Sequence, residues 1–344
     1  MTYGPPPRRT YHHVLMVGQG EDADVAAARA AIEERTGRSP ERMELIVRYE
    51  GRLVCATRLE GRPVVFKAGP GDSIRLEEWV SRALRPLGVR IPAVLVVDTS
   101  RGRFPLDWLL MEEVPGGPLA GWPSDRELSD LDLDSPSTRA VLHEAGRQLR
   151  LVHSVRIAGF GPLDAGTLAG DRPPSGRWAS WAEYVVHDLH ANLGSAVSRG
   201  ILPASEAAGA RSVLDPLVER LVLPEGALLH GDLIARHLFV TPEGTMLTGI
   251  LDFGAISGDP AFDIAVADVD HRRLERRLGR FAGLLLEGYR PDAALLEDVA
   301  GRLLIYRAQR AIGEAAFMHA NGEDVQAQLR MFRWNVEHLA GAGG

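Results

Sequence analysis

Lysine and cysteine are almost missing from this 344-residue chain: among 39 basic residues Lys67 is the single lysine, and Cys55 is the single cysteine. One cysteine excludes an internal disulfide framework and leaves no cysteine cluster for a structural zinc, which fits a reducing cytoplasm. No stretch reaches the roughly 20 apolar residues of a membrane-spanning helix, and the opening MTYGPPPRRTYHH leads into no apolar core of a secretory leader. Positive charge is also short. With 39 Lys+Arg against 46 Asp+Glu, a net charge of −7 and a pI near 5.9, the chain is predicted to present neither a nucleic-acid surface nor a polybasic membrane patch, whereas a cationic ligand is permitted. Internal repeats and long low-complexity tracts are missing as well, so the chain is read as globular.

At 45% hydrophobic the chain is long enough for two lobes, because single cores stop growing at about 250–300 residues. Residues 22–36, DADVAAARAAIEERT, open on a capping-type Asp and end at Gly37, predicting a helix. The periodicity then changes. ELIVRYEGRLVCATRLEGRPVVFKAG holds three short β-rich runs parted by EGR and EGRP turns, so residues 44–68 are predicted to form an antiparallel meander with Lys67 on its third strand. SIRLEEWVSRALRPL, 73–87, reads as an amphipathic helix capped by Ser73, with Leu76, Val80, Ala83, Leu84 and Leu87 on one face. PAVLVV and WLLMEEV add β-rich runs before PGGP, the strongest breaker cluster in the chain. This divides the chain into an N-terminal lobe, 1–114, and a C-terminal lobe, 115–344, the latter mainly helical over 136–155, 178–198, 204–221 and several segments beyond 262. GDRPPSGR at 170–177 is expected to be a mobile surface insertion.

The stretch LLHGDLIARHLFVTPEGTMLTGILDFG, residues 228–254, carries the chemistry. HGD leads into two β-rich runs, LFV and TGIL, around TPEGT, which predicts a hairpin that returns Asp252 to the neighbourhood of Asp232. Two adjacent carboxylates repel unless a cation or a proton separates them. Phosphoryl transfer employs both, since one accepts the proton of the attacking hydroxyl and the other holds magnesium on the nucleotide phosphates. A lysine on the third strand of a small lobe, paired with a helix glutamate, completes the phosphate clamp in kinases. Lys67 and the helix after it supply that part.

VVFK, the helix acids before GVRIP, LLMEEVPGG, GFGPL, HGDLIARH and LDFGAISGDPAFDIA follow one another in this order. Over roughly residues 40–335 the chain thereby resembles the aminoglycoside phosphotransferase family, antibiotic kinases with a protein-kinase-like bilobal α+β fold. The resemblance implies Asp232 as catalytic base, Asp252 as principal magnesium ligand, and Lys67 on the α- and β-phosphates with Glu77 as its partner, Glu78 being the alternative. It also implies a purine ring under Met111, hydrogen-bonded to the backbone at Glu112 and Val114. No glycine-rich GxGxxG precedes Lys67, which is usual for these small-molecule kinases. One departure falls five residues after Asp232, where the second metal ligand is commonly Asn and here is His237; imidazole is a less typical magnesium ligand than oxygen. That histidine resembles the 2''-aminoglycoside and macrolide phosphotransferase branches, so His237 is retained as a metal ligand, and the donor is left as ATP or GTP.

The reaction so implied moves the γ-phosphoryl group of a nucleoside triphosphate, with Mg2+, to a hydroxyl of a small-molecule acceptor, an aminoglycoside-like antibiotic first, giving resistance or self-protection. Nucleic acid and membrane are not expected as partners. Carboxylates converging from the acidic run Asp125, Glu127, Asp130, Asp132 and Asp134, or from Glu314, Glu323 and Asp324 near the C-terminal helices, would favour a polycationic sugar, whereas an apolar cleft built from Leu285, Phe317 and Met318 would favour a macrolide. A metabolite kinase and a nucleotide-binding pseudokinase compete with these readings. His230 and Asp259 are expected to be structural, and Asp263 to cap the next helix or hold the backbone of the catalytic loop.

Overall fold

The computed structural model describes residues 23–49, 51–121, 131–168, 172–269, 279–291 and 299–342. They form two compact units, one running up to residue 115 and including 164–174, the other holding the rest from residue 116 onward.

The first unit contains α1 (Ala23–Thr36), β1 (Glu44–Tyr49), β2 (Arg52–Leu59), β3 (Arg62–Gly69), α2 (Gly71–Leu84), β4 (Val94–Asp98) and β5 (Asp107–Glu112). Its strands make an antiparallel sheet in the order β1-β2-β3-β5-β4. Successive strand residues point to opposite faces, and here both faces are covered. Phe66, Trp108 and Leu110 join Ala28 and Ile32 of α1, while their neighbours Val65, Leu109 and Met111 pack with Ile74 of α2. Lys67, two residues after Val65, therefore falls on the α2 side. The predicted helix starts two residues early, at Gly71, with Pro70 at its N-cap. Ser73 is no cap, for its Oγ donates to the Pro70 carbonyl at 2.8 Å. Ile74, Trp79, Val80 and Leu84 form the buried face; Leu87, expected there, is 42% exposed, because the chain tightens into a 3-10 turn over Arg85–Leu87 and loses the α-helical pitch.

The second unit opens with β6 (Gly117–Pro118), α3 (Pro136–His153), β7 (Arg156–Ile157), β8 (Phe160–Asp164), β9 (Ser175–Trp178), α4 (Trp181–Ser198) and α5 (Ala204–Val218). It continues with β10 (Gly226–Leu229), β11 (Leu238–Val240), β12 (Leu247–Ile250), β13 (Ile256–Gly258), α6 (Pro260–Val269), α7 (Arg280–Tyr289), α8 (Val299–Ala320) and α9 (Gln326–Ala342). Helices dominate: α3 packs on α7, and α8 packs on α4, α6 and α9 around one apolar core. Two small sheets, β7-β10-β13-β8-β9 and β12-β11-β6, carry the loops between them. The hairpin foreseen after HGD is β11–β12, antiparallel, with Leu238 opposite Ile250. Gly116, at φ +92°, lies where a Cβ would overlap the Val240 carbonyl, so β6 can approach β11 only as glycine leads into it.

Two expectations are corrected here. Leu285 and Met318 are buried in the helical core, so these two line no apolar cleft, while Phe317 packs partly buried against that core; an apolar helix stripe reads alike in either role. Of the stretch expected as a mobile insertion, residues 170 and 171 lie outside the described residues, and its end, 175–177, stands in strand β9, where Gly176 donates to the Ala158 carbonyl at 2.8 Å and lies too close to Phe160 for any side chain. Asp125, Glu127 and Asp130 lie outside the described residues. Asp132 is turned onto the chain itself, accepting from the Asp134 N–H at 2.9 Å.

Candidate active site

In the first unit, β3 and α2 bring two opposite charges together. Lys67, opposite Val54 and Leu109 in the sheet, has Nζ 2.8 Å from Oε2 and 3.0 Å from Oε1 of Glu77. Glu77 follows Ile74 by three residues, so it shares the helix face that packs on the sheet. Side-chain exposures of 12% and 25% remove the pair from most solvent screening, which weakens exposed ion pairs. Met111 is buried at the end of β5; the Glu112 N–H donates to the Ala93 carbonyl at 2.9 Å; Val114 is half-buried beyond it. The Glu112 N–H is thus committed inside the unit.

In the second unit the loop after β10 is fixed from below. Asp263, fully buried on α6, accepts from the backbone N–H groups of His230 at 2.6 Å and Gly231 at 2.7 Å, and its Oδ2 lies 3.0 Å from Nε2 of His153 on α3. Nδ1 of His153 in turn meets the Tyr289 hydroxyl at 3.1 Å. The expected role of Asp263 in holding the loop backbone is what these bonds do. Gly231, at φ +77°, turns the chain so closely past Ile256 that a Cβ would lie 2.8 Å from its Cδ1. His230 is equally fixed: Nε2 donates to the Leu251 carbonyl at 2.8 Å, and Nδ1 accepts from the Asp232 N–H at 3.2 Å. That pattern needs the neutral ring, and burial pushes the imidazole pKa down to about 4 against the opposing pull of Asp263.

The hairpin then brings Asp232, His237 and Asp252 together. Nδ1 of His237 donates to the Asp232 carbonyl at 2.8 Å, which in the neutral ring leaves the lone pair on Nε2. That nitrogen is 3.8 Å from Oδ2 of Asp252, while Nδ1 is 3.9 Å from Oδ2 of Asp232. Asp252 is 47% exposed and sits at φ +58°, a left-handed conformation that is rare outside glycine and is concentrated at functional sites. The gap from Nε2 to Asp252 is no wider than about 4 Å, the span across one magnesium ion with bonds of about 2.0–2.1 Å. Among the described residues no group of three or more His, Cys, Asp or Glu is gathered for a metal. Magnesium does not require one, since it is usually held through one or two carboxylates, substrate phosphates and water. Asp252 and His237 fit that ion.

Sequence reasoning missed a third layer, supplied by α8. Arg302 Nη1 and the Tyr306 hydroxyl both donate to Asp259, at 2.8 and 2.7 Å, and Asp259 also accepts the Ala261 N–H at the head of α6. Burial, and next Asp259 itself, push the Tyr306 phenol pKa well above its ordinary value. One turn further, Nη2 of Arg310 donates to Oδ1 of Asp232 at 2.7 Å.

The sequence profile of the phosphotransferase enzyme family (APH) matches residues 50–304. The chain belongs to that family. No curated protein sequence matches this phosphotransferase. Among solved structures, a thermostable mutant of aminoglycoside phosphotransferase APH(4)-Ia in its apo form is similar at 17% identity and TM-score 0.62, over 92% of this chain and 99% of that one. The ternary complex of such a mutant with AMP-PNP and hygromycin B is similar at 16% identity and TM-score 0.62, over 92% and 97%. A protein from Thermobifida fusca described as a candidate fructosamine-3-kinase is similar at 20% identity and TM-score 0.58, over 88% and 98%. The phosphotransferase thus has the α+β fold of small-molecule kinases.

Proposed function

We propose that this phosphotransferase moves the γ-phosphoryl group of ATP or GTP to a hydroxyl of a small molecule. The observation that carries the reading is His237, its tautomer fixed by the Asp232 carbonyl, standing between the carboxylates of Asp232 and Asp252. In this reading Asp232 takes the proton of the acceptor hydroxyl, and Lys67, oriented by Glu77, holds nucleotide phosphates. Met111, Glu112 and Val114 receive the purine through the backbone, the Glu112 N–H being already engaged by the Ala93 carbonyl. Asp252 and His237 would hold magnesium, which when bound neutralises charge on the phosphates.

An antibiotic acceptor, with resistance or self-protection as its outcome, is supported by likeness to APH(4)-Ia, solved with hygromycin B. A second reading, a kinase for a metabolite, is favoured by Arg310, the cation on Asp232. The decisive measurement is nucleotide turnover with magnesium, with and without a panel of hydroxylated compounds. Asp232→Asn should leave nucleotide affinity within a few-fold and lower turnover by orders of magnitude, because the carboxylate acts on the hydroxyl during transfer. Near-normal turnover of that variant sinks the proposal.

A further inference from the structure

Arg302, Tyr306 and Arg310 recur every fourth residue along α8 and share one face. The first two are engaged by Asp259. Arg310 reaches Asp232 instead, with side-chain exposures of 13% and 17% for the two partners. Its Nε is buried and makes no hydrogen bond, so among the described residues the bond to Asp232 is what fixes the guanidinium. A guanidinium never loses its charge in a protein and has no lone pair to offer. The cation beside Asp232 is therefore permanent.

Resting on the phosphotransferase reading above, we propose that Arg310 is a specificity-determining residue: it admits acceptors whose reacting hydroxyl is flanked by oxygens, as in polyols and hydroxy acids, and disfavours those flanked by ammonium groups. A hydroxyl deprotonated by Asp232 lies within about 2.6–3.2 Å of that carboxylate, and Arg310 lies one hydrogen bond from the same carboxylate. A substituent next to the reacting hydroxyl thus comes within contact range of the guanidinium. Hydroxyl and carboxylate oxygens accept its N–H bonds, the carboxylate through two at once. Ammonium accepts none and meets like charge where little water screens it, and rejection by an unmatched charge is a general source of specificity. The chain's net charge of −7 does not govern this choice, because a guanidinium is hydrogen-bonded to the base itself. In the transfer itself, the bond from the γ-phosphorus to the β,γ-bridging oxygen breaks, a new P–O bond forms to the acceptor oxygen, the hydroxyl proton passes to Asp232, and the nucleoside diphosphate leaves.

Matched acceptors test the inference: scyllo-inositol against streptamine, and glucose against glucosamine, each with magnesium and ATP or GTP, product being read by mass spectrometry. The oxygen-only member should be favoured in kcat/KM by about tenfold or more. Arg310→Lys should keep the direction of the preference, and Arg310→Gln should erase most of it while melting cooperatively. Equal or reversed preference in the natural protein overturns the inference, as does an unchanged preference in a folded Arg310→Gln. Absence of product from every member also overturns it, and leaves the phosphotransferase reading standing if magnesium-dependent nucleotide hydrolysis is still lost in Asp232→Asn. If no Asp232-dependent turnover of either kind exists, the phosphotransferase reading itself has failed.

Discussion

His237 owes its place as the proposed second metal ligand to the bond on its far side. Because Nδ1 is spent on the Asp232 carbonyl, the nitrogen that carries the lone pair of a neutral ring is Nε2, on the side of Asp252. Asparagine at this position can offer a carbonyl oxygen in the same direction, and alanine nothing. His237→Asn should retain substantial magnesium-dependent turnover and His237→Ala should lose most of it; equal activity of the two variants means that the second ligand lies elsewhere. His230, stacked 5.9 Å from His237, gives a different prediction. Its folded pKa, about 4, lies below the ordinary 6.5, so as pH falls the unfolded chain takes up the proton first. The stabilisation is complete above pH 6.5 and is lost between 6.5 and 4, by about 3 kcal/mol in all. Melting temperatures measured from pH 7 to 4.5 should fall through that window, and should fall less in His230→Gln, already less stable at pH 7. Parallel curves for the two proteins would show that other groups set the acid limit. At this scale the sequence was legible where chemistry demands a fixed spacing: Asp232, His237 and Asp252 meet because a tight hairpin joins them. Arg310 was not legible. It lies 78 residues from Asp232 in a chain where nearly every basic residue is arginine, and only helix packing distinguishes it from its neighbours.

Two helices of the second unit touch backbone to backbone. On α3 a Cβ at Gly146 would overlap the Leu285 carbonyl, and on α7 a Cβ at Gly288 would overlap the His143 carbonyl. Gly288→Ala must part α3 from α7, and forced overpacking of this kind typically costs about 1–3 kcal/mol. The next residue, Tyr289, holds His153, which holds Asp263, so turnover should fall along with the urea midpoint. A variant of unchanged stability would mean that the interface yields without strain. The longer elements were foreseeable, since helices of 14 to 22 residues and strands of six to eight show their period. The sheet β7-β10-β13-β8-β9 was not, being made of strands of two to five residues, too short for alternation to register. The start of α2 was misplaced because Ser73 is a favoured capping residue, whereas Pro70, which holds the cap position, makes no side-chain cap bond.

Across the whole molecule, the residues proposed for the nucleotide are divided between the two units: Lys67, Glu77, Met111, Glu112 and Val114 in the first, Asp232, His237 and Asp252 in the second. Asp252→Ala, which removes a carboxylate that is nearly half exposed, should abolish magnesium-dependent nucleotide binding in calorimetry while keeping the native melting profile. Unchanged metal-dependent affinity contradicts its role. The scarcity of lysine also matters for protein chemistry. A lysine-specific protease meets one scissile bond in the entire chain, Lys67–Ala68, within β3 near its C-terminal end, with β2 and β5 paired on either side. A bond so placed is cut only after its strand leaves the sheet. The rate at which full-length protein disappears under such a protease is therefore a clock for the opening of one unit, and the helical unit, having no lysine, does not disturb its reading.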